Sequence, residues 1–337
     1  MIRDKLLDLK ANKHIWVITG AAGFIGSNLV EALLELNQKV IGLDNFSTGS
    51  QENVENLTLH HAEKDFTFIE GDITSYNICK EVVKGANFVL HQAALGSIPR
   101  SINDPLSSNQ SNVTGFLNML TAAKEEGVKR FVFAGSSSTY GDHKQLPKIE
   151  NVIGKPLSPY AITKYVNELY AETFSRHYNF NTIGLRYFNV FGRRQRTEGA
   201  YAAVIPTWIK AILNKQEIII YGDGQTSRDF CYIDNVIQAN ILAALTTEEK
   251  CLNQIYNIAL NDQTTLLDLY KLIASAITEI DPTIEIPDPV YKDFRAGDVA
   301  HSKADITKAK ELLKYDPTHR VKEGIKETVT WYMKNLR

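Results

Sequence analysis

The chain has 337 residues, 44% hydrophobic and 23% charged, with 37 Lys and Arg against 39 Asp and Glu for a net charge of −2. That length allows about two domains with a large core, and the balanced charge argues against a nucleic-acid footprint or an acidic tail. Apolar runs are strand-sized, so no membrane span is expected, and the charged start MIRDKLLDLKANKH lacks the apolar run of a signal peptide.

Taken in chain order, the first half alternates short apolar runs with amphipathic stretches of helical length. Strands are predicted at residues 15–19, 40–44, 66–70, 88–92, 131–134 and 182–187, with helices at 25–36, 78–84 and 115–126 between them. Near-continuous apolar strands alternating with helices indicate an α/β fold, a Rossmann-type doubly wound parallel sheet covered on both faces. Beyond about residue 190 the pattern is irregular. An Arg-rich turn at 191–196 precedes a helix at 204–213, a hairpin-like 217–224, a strand-like 230–233, and helices at 266–278 and 305–313. Residues 1–190 therefore read as a nucleotide-binding domain to whose sheet 230–261 returns. Residues 191–229 and 262–337 read as a smaller mixed α/β substrate lobe. Three scattered cysteines, Cys79, Cys231 and Cys251, make no CxxC pair and fit a reducing, cytoplasmic setting.

The first predicted strand runs into Gly20-Ala21-Ala22-Gly23-Phe24-Ile25-Gly26. Glycines at this GxxGxxG spacing let the chain turn tightly, bring backbone N–H groups onto a pyrophosphate and seat the next helix on the sheet. The second strand ends in Asp44, 24 residues beyond Gly20, where a carboxylate accepts from adenosine ribose hydroxyls. Asp44 would repel a 2′-phosphate, and the following Asn45-Phe46-Ser47-Thr48-Gly49 holds no Arg to grip one, so NAD is expected over NADP. Asp72-Ile73 after the third strand and Gln92-Ala93-Ala94 after the fourth continue the same strand-end edge, with Asn112 and Tyr187 as further cofactor candidates. The plainer reading of each is a turn residue at a strand end.

Tyr160-Ala161-Ile162-Thr163-Lys164 places a phenol and an ammonium at i and i+4, on one face of a helix. Free Tyr titrates at about 10, so a base near neutral pH needs a drop of roughly 3 units, about 4 kcal/mol. A neighbouring Lys and a positive nicotinamide both push that way. Tyr76 and Lys80 share the spacing. Only Tyr160 follows a helix-start Ser158-Pro159 and the serine-rich turn Ser136-Ser137-Ser138-Thr139-Tyr140-Gly141, so Tyr76 is expected to be structural.

The runs TGAAGFIG, LDNFSTG, SSSTYG, SPYAITK and LRYFNVFG, in this order, resemble the extended short-chain dehydrogenase/reductase family. RDFCYIDN, YNIA and FRAGDVAHSKAD bring the resemblance close to its UDP-hexose 4-epimerase branch, most of all to the bacterial UDP-N-acetylglucosamine 4-epimerases of O-antigen and capsule pathways. It covers residues 14–335. The resemblance implies NAD-dependent interconversion of UDP-N-acetylglucosamine and UDP-N-acetylgalactosamine by transient oxidation at C4. UDP-glucose/UDP-galactose or the N-acetylhexosaminuronic acids are further candidate substrates, and a homodimer is implied.

In that scheme Tyr160 takes the proton of the sugar 4-hydroxyl, Lys164 holds the nicotinamide ribose, and Ser136 matches the catalytic Ser/Thr. Ser137 and Ser138 would bond the sugar or its keto oxygen, with the register of the three serines open by one residue. Related dehydratases and decarboxylases carry an acid where Ser138 stands, which counts against elimination. A nucleotide-sugar dehydratase or reductase of the same family is the alternative reading.

For the nucleotide end, the resemblance implies Arg228 and Arg295 on the diphosphate, Asn189 on the diphosphate or sugar, and Asp298 on the uridine ribose. Ala203, Val204 and Tyr221 would enclose the uracil. Ser302 stands where a bulky residue would admit only glucose and galactose, and so leaves space for a 2-acetamido group. Gly96, Ser97 and Gln195 would add contacts around the sugar. The eight histidines form no HExxH pattern, and no metal, nucleic-acid or membrane partner is expected.

Overall fold

Strand-length runs of buried apolar side chains set the architecture of the computed structural model, which describes residues 7, 9–61, 63, 65–197, 202–294 and 300–336. Seven strands form one sheet: β1 (Ile15–Thr19), β2 (Lys39–Asp44), β3 (Phe66–Glu70), β4 (Phe88–His91), β5 (Arg130–Ser136), β6 (Thr182–Tyr187) and β7 (Gln254–Ile258). Their order is 7-6-5-4-1-2-3, and every pairing is parallel. Successive side chains alternate between two cores. Trp16, Ile18, Leu90, Val132 and Leu185 face one, while Val17, Val89, Phe131 and Phe133 face the other. A sheet apolar on both faces needs helices on both, which is why these strands read as unbroken apolar runs. The strands predicted in the first half of the chain are found with ends shifted by at most two residues.

The order reverses between β1 and β4, the place where a doubly wound sheet opens a crevice beyond the carboxyl ends of its strands. Helix Ile233–Leu245 packs on β5 and β6 and returns the chain to β7, at the sheet edge. The other lobe is built on helices Val204–Leu213, Leu266–Ile280 and Val321–Asn335, which pack on one another. The last of these lies beyond the helices expected from the sequence, although Val321, Ile325, Val329 and Tyr332 are buried at helical spacing. Nor is 217–224 a hairpin. Ile219–Tyr221 is a single short strand paired in parallel with Val290–Lys292. Gly222 and Gly224, both at positive φ, turn the chain on to Ser227–Arg228, which pairs with Thr264–Thr265.

Candidate active site

β1 runs into Gly20, whose φ of +71° suits glycine, and a Cβ there would meet the Ala93 nitrogen at 2.9 Å. Gly26 is tighter: its Cβ would lie 2.0 Å from the Gly20 carbonyl oxygen, so helix Phe24–Glu35 rests directly on the turn. The Gly20 and Ala21 N–H groups donate to the Leu43 carbonyl at 2.8 and 3.2 Å, tying the turn to the end of β2. The result is a backbone cradle at a helix N-terminus, suited to a pyrophosphate. A cavity of about 590 Å³ opens over it. Of the residues expected at the cofactor, its wall holds Gly20, Gly23, Phe24, Ile25, Gly26, Asp44, Asn45, Ser47, Thr48, Ile73, Gln92, Ala93 and Ala94. Gly96, Ser97, Gln195 and Ala203, expected at the substrate, line it too. Arg100, Ser111, Arg196 and Ala202 are wall residues that the sequence reading missed.

Asp44 is buried at the tip of β2. Burial is the largest influence and raises its carboxyl above the usual range, opposed by N–H donors of Phe46, Ala22 and Asn45. Oδ2 accepts from Ala22 at 3.0 Å and Oδ1 from Phe46 at 2.8 Å, which fixes the carboxylate on the cavity wall. Phe46 and Gly49 shape this loop instead of lining it; a Cβ on Gly49 would lie 2.6 Å from that of Ala22. Asp72 braces the loop by accepting from Asn45 Nδ2 at 2.7 Å. Residues 45–49 hold no Arg, but one from far along the chain acts on Asp44 through space. Arg196 donates to the Gly49 carbonyl at 2.9 Å, and its charge lowers the Asp44 carboxyl.

Tyr160 stands in the first turn of helix Pro159–Tyr178, capped by Ser158, whose Oγ accepts from Ala161 at 3.1 Å. The Lys164 Nζ lies 5.9 Å from the centroid of the Tyr160 ring and donates to the Ala134 carbonyl of β5 at 2.9 Å. Burial pushes Lys164 down to about 8, against the pull of Glu168. Burial likewise raises Tyr160, while a hydrogen bond with Ser136 lowers it. The Ser136 Oγ accepts from the Ser138 N–H at 3.2 Å and from the Ser138 hydroxyl at 2.8 Å, leaving its own proton for the Tyr160 oxygen. Ser138 thus bonds Ser136, whose hydroxyl in turn favours the charged form of Tyr160.

Asn112 accepts from Leu95 N–H at 2.7 Å and donates to the Leu95 carbonyl and to Thr163 Oγ1 at 3.1 and 3.2 Å. It bolts the Tyr160 helix to the loop whose Ala93, Ala94 and Gly96 line the cavity. Tyr187 is buried and bonds Gln92 and Asn240. Ser136, Ser137, Ser138, Asn112, Tyr160, Lys164 and Tyr187 are not on the cavity wall itself. One contact here was missed by sequence. Glu168, four residues beyond Lys164, holds Arg186 of β6 in a buried bidentate pair at 2.8 and 2.7 Å. Arg186 lies 4.8 Å over the Tyr140 ring, so the pair joins the Tyr160 helix to the serine turn. Tyr76 has the structural place expected of it: its hydroxyl donates to Glu125 at 2.5 Å, which pushes it up to about 12.

A second cavity, of about 320 Å³, is lined by Asn189, Val204, Tyr221 and Arg228, along with Thr226, Trp208 and Phe230. Ala202 is on the walls of both cavities, so they adjoin. Arg228 Nη1 donates to the Ser227 and Ala300 carbonyls at 3.0 and 3.2 Å. Asp229, buried beside it and raised by burial to about 6, accepts from Leu260, Asp262 and Ala304. Ser302 donates its N–H to Ser227 at 3.0 Å and lines neither cavity. Arg295 and Asp298 lie outside the described residues. Among the described residues, the one group placed to hold a metal is Asp234, His319 and Glu327. Arg193, Thr318 and Tyr232 already bond its members.

A doubly wound parallel sheet, a glycine cradle, a carboxylate at the tip of β2 and a Tyr–Lys–Ser group at β5 define a dinucleotide-binding protein built for oxidation and reduction of a bound substrate. Residues 16–259 match the model of the NAD dependent epimerase/dehydratase family, and the chain belongs to that family. Its cofactor is NAD, which the cradle and the Asp44 edge fit. The chain is similar to a UDP-N-acetylglucosamine 4-epimerase from Methanobrevibacter ruminantium M1, solved with UDP-N-acetylmuramic acid, at 37% identity and a TM-score of 0.87 over 96% of this chain and 99% of that one. A UDP-glucose 4-epimerase from Thermotoga maritima, solved with UDP-glucose, is 36% identical with a TM-score of 0.86, over 96% and 100%. A UDP-glucuronic acid 4-epimerase from Bacillus cereus, solved with UDP-glucuronic acid and NAD, is 28% identical with a TM-score of 0.84, over 96% and 100%.

Proposed function

We propose that this chain is a 4-epimerase interconverting UDP-N-acetylglucosamine and UDP-N-acetylgalactosamine. The observation that carries this reading is the group of Ser138, Ser136 and Tyr160 hydroxyls beside buried Lys164. It can move one proton at one sugar hydroxyl. It offers no carboxylate at position 138 for the second proton transfer that a dehydratase needs, which counts against that alternative.

In this reading the cradle of Gly20, Gly23 and Gly26 holds the pyrophosphate of NAD, Asp44 its adenosine ribose, and Lys164 its nicotinamide ribose. NAD, when bound, supplies the reversible oxidation at C4. Tyr160, its charge supported by Lys164 and Ser136, removes the proton of the 4-hydroxyl and returns it after the sugar has presented its other face. Arg228 and Asn189 hold the diphosphate, with Arg295 as a second grip, and Val204 and Tyr221 bracket the uracil. The relatives named above act on different hexoses, so the sugar is chosen by the pocket around its C2 and C6. Ser302 lines neither cavity, but the resemblance puts it where a bulky side chain would exclude an acetamido group, which favours the N-acetyl substrate. Ser302→Tyr is expected to lower kcat/KM for UDP-N-acetylglucosamine about 100-fold while retaining turnover of UDP-glucose. Equal loss on both substrates would contradict this role.

We further propose a homodimer in a reducing cytoplasm. Ile98, Ile102, Leu106, Leu157, Ile162 and Leu169 are exposed on or beside helices that pack together around the Tyr160 helix. All three cysteines are buried and free. No helix among the described residues is long and apolar enough to cross a membrane.

A further inference from the structure

The cofactor cavity has a wall that does not belong to the cofactor-binding motif. Gln195 and Arg196 form part of it, arriving on the turn that leaves β6 for the other lobe. That turn has an unusual backbone. Gly192 is at φ +155°, where a Cβ would strike the Ile233 side chain at 2.5 Å, and Arg194 is at φ +65°, a left-handed conformation that Arg rarely adopts. Such a conformation persists only where its surroundings enforce it.

The enforcement comes from helix Phe24–Glu35, whose first turn is the glycine cradle. Glu31 receives both terminal nitrogens of Arg194, Nη1 at 3.0 Å and Nη2 on its other oxygen, and Arg193 Nε at 3.4 Å. Asn28 Nδ2 donates to the Arg193 carbonyl at 3.1 Å. From the far side Asp234 accepts from Arg193 Nη1 at 2.8 Å, and the Tyr332 hydroxyl donates to the Gln195 carbonyl. Arg194 keeps only 10% of its side-chain surface and Glu31 only 20%. Exposed ion pairs contribute little, but a bidentate pair shielded from water is among the stronger polar contacts.

We propose that Glu31, Arg193 and Arg194 form an ionic clasp that holds this loop against the cofactor helix and so sets how long NAD remains bound. The clasp joins the floor of the cavity to its wall, and Arg196, two residues on, reaches the Gly49 carbonyl beside Asp44. A dinucleotide passing that wall must first part the loop from the helix. An enzyme that regenerates its NAD in every turnover has no need to release it, so a retaining device suits the chemistry. The inference rests on NAD as cofactor and not on the identity of the sugar.

The test compares the purified full chain with Glu31→Gln and Arg194→Lys. Two quantities are read: NAD content after gel filtration, and the rate at which bound NAD exchanges with excess fluorescent etheno-NAD. Both variants are expected to exchange about 10- to 100-fold faster and to emerge with less NAD, and added NAD is expected to restore turnover. Arg194→Lys keeps the charge, so it remains informative if Glu31→Gln lowers the Tm. Parental exchange rates in a variant with a parental Tm would overturn the clasp.

Discussion

On the proposed reaction Tyr160 serves as a base in surroundings that resist its ionisation. Burial raises the phenol and lowers Lys164, so Ser136 and the positive charge of oxidised NAD have to tip the balance. Tyr160→Phe is therefore expected to lower kcat by about 10²–10⁴-fold with NAD still bound, as read from its absorbance. Lys164 makes a separate prediction. Its folded pKa of about 8 lies below the unfolded value of about 10.4, so the fold disfavours its charged form. The penalty is complete below pH about 8 and fades as pH rises toward 10. In NAD-free protein, Lys164→Met is expected to raise Tm relative to the parent at pH 7 and to lose that advantage by pH 10. An increment equal at both pH values would mean that the ammonium is not desolvated. At this scale, local signals were legible: the glycine spacing, Asp44 and the Tyr–Lys pair all act within one turn or one strand end. Arg196 was not, because 147 residues separate it from its Gly49 partner and only the fold brings them together.

Helix Pro159–Tyr178 organises the site through a four-residue period. Tyr160, Lys164 and Glu168 share one face, and that spacing was readable in sequence although its third member was overlooked. What sequence did not show is the partner, Arg186 on β6. Removing one side of a buried ion pair leaves a charge unmatched. Glu168→Gln is thus expected to destabilise the fold by about 3–5 kcal/mol in urea titrations, whereas replacing Glu168 and Arg186 together by Met costs less. The same reasoning explains the failed hairpin at 217–224. Its apolar run was visible, but Ile219–Tyr221 pairs with Val290–Lys292, about seventy residues on, and long-range pairing leaves no local mark. The turn chemistry that was present, Gly222 and Gly224, serves the step to Ser227–Arg228 instead.

For the whole molecule, net charge near zero and an anionic substrate are compatible if, as proposed, a few placed groups do the binding. The N-terminus of helix Phe24–Glu35 opens on one cavity, and Arg228 lines the adjoining cavity that meets it at Ala202. The proposed dimer makes its own prediction: light scattering should give twice the chain mass, and Leu106→Glu, at an 82% exposed apolar position, should shift the protein toward monomer. A monomer in the parent would remove that proposal without touching the site. The central claim is the reaction itself. Incubated with UDP-N-acetylglucosamine, the protein is expected to yield UDP-N-acetylgalactosamine by proton NMR, with no 4-keto product and no net NADH. A UDP-N-acetylglucosamine spectrum unchanged at equilibrium, or a stable 4-keto sugar in its place, would contradict it.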